Sequence, residues 1–209
     1  MKGARILIAD DHLLTLEGIR SVLEPHHTIL AVAADGRTLV ERALELKPDL
    51  VVADVTMPLL NGIDAAVRIK ERLPKTKFLF VTMHVNPAYL EAALQAGCCG
   101  YVLKSAAREE LLAAVGAVLR GQIYVTPGLS REPLERFSQP SRAAATLRLT
   151  PRERETLQLV AEGKTSKEIA EILQISVKTA TFHRENLKKK LGIRTTSELT
   201  KHAIQLGLI

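Results

Sequence analysis

The chain has no run approaching the roughly 20 consecutive apolar residues that a membrane-crossing helix needs. Lys2, Arg5 and Asp10 break up its start, so neither a membrane span nor a secretory apolar core is expected. Cysteine is almost absent: Cys98 and Cys99, adjacent to each other, are all there is. Neighbours rarely bridge, so a disulfide framework is excluded and a reducing compartment, the cytoplasm, is the expectation. Two adjacent thiols are also too few for a metal centre and read as small core side chains. Charge bias is missing from the first 125 residues, which hold 14 Lys+Arg and 14 Asp+Glu. Residues 126–209 hold 15 and 9, and so carry the whole net charge of +6. A neutral front and a basic back imply two domains, the second facing a polyanion such as nucleic acid. A length of 209 residues is enough for each to bury a core.

The first part alternates short apolar runs with helix-period segments. Strands are expected at 5–9, 29–33, 49–53, 78–82 and 100–104, and helices near 13–23, 36–46, 62–73, 87–96 and 107–120. Continuous apolar strands separated by helices give a parallel sheet covered on both faces, an α/β doubly wound fold. Residues 126–148 hold three prolines and no clear period, and read as a linker with a helical turn near "REPLERF". From Thr150 the pattern is all helical. Thr150 with Glu153, Thr165 with Glu168, and Thr195 with Glu198 are capping boxes, Ser176 caps a further helix, and Gly163, Gly192 and Gly207 mark ends. Only "QI" separates the second and third of these helices, too little for anything but a helix-turn-helix corner.

Several apolar strands end on polar residues: Asp10 and Asp11, then Asp54, Thr82 and Lys104. With strand order 2-1-3-4-5 the first and third strands are neighbours, so the three acids converge where strand order reverses. Three carboxylates crowded together need counter-charge. Lys104 supplies one charge and a hard divalent cation would supply two, Mg²⁺ suiting a few carboxylates plus waters. Asp54 then reads as a carboxylate nucleophile toward a phosphoryl group, with the Thr82 hydroxyl bonding a phosphoryl oxygen. One of the two leading aspartates has a second possible job, capping the helix that starts at Leu13. His12 and His84 flank the site without metal-triad spacing and read as outer or surface groups. His26 and His27 fall in a loop.

In "SVKTATFHRENLKKKL" (176–191), residues at about 100° each place Val177, Ala180, Leu187 and Leu191 in one stripe. Arg184 and His183 fall at or near it. The opposite face carries Lys178, Phe182, Glu185 and Lys189, with Thr181 and Lys188 on its shoulder. The second helix of a helix-turn-helix enters the DNA major groove, its first residues reaching base edges and its lysines meeting phosphates.

"IADDH", "ADVTMPLLNG", "VTMH" and "GYVLK" resemble the receiver domain of two-component response regulators over residues 4–122. Residues 147–209 resemble the LuxR-type helix-turn-helix that follows receivers in the NarL/FixJ family. The resemblance implies a five-stranded receiver at 1–125, a linker at 126–146 and a DNA-binding domain at 147–209. It implies Mg²⁺ on Asp10, Asp11, Asp54 and the backbone carbonyl of Thr56, and phosphorylation of Asp54 by a sensor histidine kinase. Thr82 and Lys104 would contact the phosphoryl group, with Tyr101 the aromatic that changes rotamer as Thr82 moves. Ser105 stands where many receivers have proline. Lys178, Thr181, Phe182 and Glu185 would lie at or near bases, and Lys188 and Lys189 on phosphates. Glu185 either accepts from a cytosine N4 or pairs with Lys189 at i+4, the salt bridge being the better reading. Promoter DNA bound by a homodimer is implied, the distal face of helix 193–206 being the usual dimer surface, with no membrane partner.

Three other functions compete. A haloacid dehalogenase-type phosphatase needs an acid two residues after the nucleophile, where this chain has Thr56. A flavodoxin-like cofactor module needs a phosphate cradle after the first strand, where Asp10 and Asp11 would repel it. A regulator that binds DNA without phosphorylation would have no use for the acidic set.

Overall fold

A computed structural model describes residues 3–129 and 149–209. The chain divides into two compact units. The proline-bearing stretch around "REPLERF" and most of the 126–146 segment lie outside the described residues.

The first unit alternates strands and helices: β1 Arg5–Ala9, α1 Leu13–Leu23, β2 Thr28–Ala33, α2 Gly36–Leu46, β3 Leu50–Ala53, α3 Gly62–Arg72, β4 Lys77–Thr82, α4 Pro87–Gln95, β5 Gly100–Leu103, α5 Arg108–Leu119 and β6 Tyr124–Val125. The sheet is parallel throughout, in the order β2-β1-β3-β4-β5-β6. It is thus the expected doubly wound sheet with a sixth strand in place of five. β6 is two residues long, too short to carry a period. It exists because Tyr124 N–H bonds Cys99 O at 2.9 Å and Thr126 N–H bonds Tyr101 O at 3.0 Å.

Both faces of the sheet are buried, which is why its strands read as unbroken apolar runs. Ile6, Ile8, Leu50, Val52, Leu79, Val81 and Val102 pack with Leu16, Ile19 and Leu23 of α1 and Leu111, Val115 and Val118 of α5. The alternate residues Leu7, Val51, Phe78, Phe80 and Tyr101 are buried on the other face. Cys98 and Cys99 are free thiols. Burial pushes the Cys98 thiol up to about 12, leaving it an inert core group. Thr126 ties the sheet's far edge together: its Oγ1 donates to Glu110 Oε1 at 2.6 Å and accepts from Leu103 N–H at 3.2 Å.

The second unit holds α6 Pro151–Ala161, α7 Ser166–Leu173, α8 Val177–Leu191 and α9 Thr196–Gln205. All three expected capping boxes form, and Ser176 Oγ accepts from Thr179 N–H. Between α7 and α8 the chain turns at Gln174, which takes the left-handed conformation at φ 53°. Leu157, Leu159, Val160, Ile169, Leu173, Ala180, Leu187, Leu199 and Ala203 form the core. Val177, expected in that stripe, is 50% exposed: the helical period assigns it a side, but it stands at the first residue of α8, outside the packed core.

Lys190 Nζ lies 2.6 Å from Glu153 Oε2, joining the end of α8 to the start of α6. Burial alone would raise the Glu153 pKa, but Lys190 and the Thr150 cap outweigh it and hold it below the usual carboxylate value. A carboxylate depressed in the fold contributes stability above its unfolded pKa and loses it as pH falls through the folded one. Glu153→Gln is therefore expected to cost about 1 kcal/mol at neutral pH. The gap from the unaltered protein should close as the medium is acidified below the folded value, as read by thermal unfolding across a pH series.

Candidate functional site

The strand register assembles the acidic site. Ala9 pairs with Ala53, so the residues that follow, Asp10 and Asp54, leave the sheet side by side. Asp54 N–H bonds Ala9 O at 2.9 Å, and Asp10 N–H bonds Ala33 O at 3.0 Å. Asp10 is wholly buried, Asp54 nearly so, and Asp11 is exposed. Gly62 opens α3 directly against this floor. A Cβ there would stand 2.0 Å from the Asp54 carbonyl oxygen, so only glycine fits.

Lys104 reaches in from the end of β5, its Nζ 2.7 Å from Asp10 Oδ2 and 2.6 Å from Asp54 Oδ2. Burial by itself would lower the Lys104 pKa, but the two carboxylates outweigh it and raise the pKa above the ordinary lysine value. Lys104 is thus the charged partner of both carboxylates, and Asp10 Oδ2 meets it out of contact with solvent. Asp54 Oδ1 accepts from Val55 N–H at 2.6 Å. After Lys104 the chain turns at Ser105, closed by Ala106 N–H to Leu103 O at 2.9 Å.

Neither aspartate caps α1. The N-cap position belongs to His12, whose side chain makes no capping bond, while Asp10 Oδ1 accepts the His12 N–H at 2.9 Å. The exposed His12 ring leans over the aspartates: its Nδ1 is 2.9 Å from Asp11 Oδ1 and 3.4 Å from Asp10 Oδ1. One ligand atom each from Asp10, Asp11, His12 and Asp54 lies within 4.8 Å of the others, a set able to hold a metal ion.

Thr82 is fully buried at the end of β4, and its Oγ1 accepts His84 N–H at 3.3 Å. The Tyr101 ring is fully buried, and its hydroxyl donates to His84 O at 2.9 Å. His84 therefore joins the two expected switch residues through its backbone. Its Nε2 also meets Thr56 Oγ1 at 3.2 Å, and its ring stacks on Tyr89 with centroids 4.2 Å apart. Burial lowers the His84 pKa, against the raising effect of Asp54, and Lys104 lowers it further. Sequence reasoning missed this junction. The signal was only its place two residues beyond Thr82.

On α8, Lys178, Thr181, Phe182, Glu185 and Lys189 are exposed and share one face, with Lys188 half-buried beside them. Phe182 is 60% exposed, an aromatic standing among cations. Thr181 Oγ1 donates to Val177 O at 3.0 Å. Glu185 pairs with Lys188 at 3.1 Å, one turn on at i+3, rather than with Lys189 at i+4. Both spacings bring side chains together on a helix, and the rotamers choose.

Among the described residues, no helix is long and apolar enough to cross a membrane. A family model for the response regulator receiver domain matches residues 6–116, and one for bacterial regulatory proteins of the luxR family matches 147–203. The transcriptional regulatory protein MctR of Rhizobium johnstonii is 37% identical over 211 residues, covering 98% of this chain and 95% of that protein. A structure of the Salmonella typhimurium RcsB response regulator, described for its conformational dynamism in DNA interaction, aligns with TM-score 0.65 and 31% identity over 99% of both chains. RcsB from Salmonella enterica serovar Typhimurium, bound to promoter P1flhDC in the presence of the phosphomimetic BeF3-, aligns with TM-score 0.61 and 30% identity over 97% of this chain and 98% of that one.

Proposed function

The chain belongs to the NarL/FixJ family of response regulators, and from that premise we propose that it is switched by phosphorylation of Asp54 and acts by sequence-specific binding to promoter DNA. The observation that carries the reading is the convergence of Asp10, Asp54 and Lys104 within 2.7 Å contacts at the carboxyl ends of β1, β3 and β5. The donor is a sensor histidine kinase. A carboxylate oxygen of Asp54 attacks phosphorus, the P–N bond to the donor imidazole breaks, and its electron pair leaves with the imidazole.

Mg²⁺ fits the donor set: hard carboxylate oxygens of Asp10, Asp11 and Asp54 gathered within 4.8 Å of one another, with the Thr56 carbonyl as a further ligand. When bound it would neutralise charge on the phosphoryl oxygens. Lys104 supplies a second positive charge from the chain itself. Thr82 would exchange its bond to His84 N–H for one to a phosphoryl oxygen, and Tyr101, held by the next atoms of the same residue, would follow. The chain would act as a regulator rather than a turnover enzyme, because Thr56 stands where a phosphatase of this chemistry keeps its acid.

The reading face of α8 is Lys178, Thr181, Phe182 and Glu185 toward bases, with Lys188 and Lys189 toward phosphates. The net charge of +6 carried by residues 126–209 supports a polyanionic partner. A homodimer would read two half-sites about one helical turn apart. Ile204 and Leu206, exposed on and just after α9, support that helix as the dimer face. The location is the cytoplasm, where the kinase's phosphoryl-donating part and the DNA are both at hand.

Binding measurements on a panel of promoter fragments test the face. Lys188→Ala is expected to weaken all fragments alike and flatten the salt dependence by about one charge. Phe182→Ala or Thr181→Ala should cost about 1–3 kcal/mol on some fragments and little on others. Uniform losses from every variant would displace the reading face elsewhere.

A further inference from the structure

The phosphoacceptor reading uses three carboxylates and leaves unused the imidazole beside them. His12 follows Asp10 and Asp11 directly, and the chain turns so that all three side chains surround one point. The turn is held by Asp10 Oδ1, which accepts the His12 N–H at 2.9 Å. His12 Nδ1 then stands 2.9 Å from Asp11 Oδ1 and 3.4 Å from Asp10 Oδ1, and a ring nitrogen of His12 lies within 4.8 Å of a carboxylate oxygen of Asp54 as well. The wholly buried Asp10 brings its second oxygen, Oδ2, to the same cluster, its charge met by the Lys104 ammonium 2.7 Å away. The His12 side chain is 69% exposed, so a small rotation meets little resistance.

Carboxylate and water suit Mg²⁺, whereas imidazole suits borderline ions such as Co²⁺, Ni²⁺ and Zn²⁺. A site with three acids and one reachable imidazole therefore has two ligand sets. Mg²⁺ would take the oxygens and keep its waters, and a transition ion would replace one water by nitrogen.

We infer that His12 is a metal ligand that gives the acidic site a second specificity, for a borderline divalent transition ion bound through Nδ1. This rests on the reading of Asp10, Asp11 and Asp54 as metal ligands. In that state the phosphoacceptor carboxylate shares its site with an ion that the oxygen ligands alone would hold less firmly. The receiver's readiness for phosphorylation then depends on which divalent ion is in supply.

The test uses the full chain, with Co²⁺ and Mg²⁺ as probes, at about pH 8, where a free imidazole is neutral. His26→Gln/His27→Gln serves as the background, removing the other histidine pair. Calorimetric titration of His12→Gln in that background should show Co²⁺ affinity weakened by about tenfold or more. Mg²⁺ affinity should change less than about twofold, since Mg²⁺ does not use the nitrogen. The Co²⁺ form with His12 intact should also show a hyperfine-shifted imidazole N–H proton that His12→Gln lacks. Unchanged Co²⁺ affinity, or equal losses for the two metals, would overturn the role of His12 while leaving the Mg²⁺ site standing. Absence of binding by either metal to the protein with His12 intact would remove the acidic metal site itself, and the inference with it.

Discussion

Asp54→Ala is expected to abolish labelling by a small-molecule phosphoryl donor, a fall of at least about a hundredfold. Other carboxylates lie close by, yet neither is free to substitute. Asp10 is wholly buried, with one oxygen accepting the His12 amide and the other against Lys104. Asp11 is exposed and engaged with the His12 ring. Asp54 is nearly buried, touches the Lys104 ammonium through Oδ2, and follows β3, the strand paired with the β4 that ends on Thr82. Intact mass after donor treatment reads the outcome as presence or absence of one phosphoryl group. Asp54→Asn, which keeps the shape, should lose labelling equally, and both variants should keep the donor-free DNA affinity of the unaltered protein. Full labelling of either variant would move the acceptor to another residue.

Lys104→Met is expected to destabilise the first unit by about 3 kcal/mol in the absence of divalent ions. The side chain is 10% exposed and is shared by two carboxylates, so its removal strands like charges in a buried site. A hydrophobic replacement for one partner gives no compensation while the others stay charged. Mg²⁺ should recover more stability in the variant than in the unaltered protein, because there it must supply the whole counter-charge. Urea unfolding followed by circular dichroism, with and without Mg²⁺, checks both parts. Equal Mg²⁺ increments in the two proteins would mean that lysine and metal act on different charges.

Much of this architecture was legible in advance for a physical reason. Parallel strands buried on both faces must be apolar throughout, so "ILIA", "LVVA" and "FLFV" identify themselves, and the first polar residue after each marks the functional edge. The capping boxes at Thr150, Thr165 and Thr195 are local events, readable within four residues. What escaped depends on geometry that no local pattern encodes. β6 consists of two residues paired to a strand more than twenty positions earlier. His84 matters through its backbone, which carries no residue-type signal, and through stacking on Tyr89 from the next helix. His12 lies beside the aspartates in sequence, but only the turn held by Asp10 brings its ring over them. Val177 and the Glu185–Lys188 pair show the limit of helical periodicity, which gives a direction from the axis and neither the packing at a helix end nor a rotamer.

Thr126 places a mechanical constraint on the chain as it leaves the sheet. Its hydroxyl receives the Leu103 amide, one residue before Lys104, and its own amide binds the carbonyl of Tyr101. Tyr101, expected to follow the switch, and Leu103, the residue before Lys104, thus share one partner in Thr126. Those bonds are worth about 1 kcal/mol each, comparable with thermal fluctuation at a frayed edge. A shift at the end of β5 would therefore be felt at Thr126, like a zip whose last teeth open when the fabric beside them is pulled.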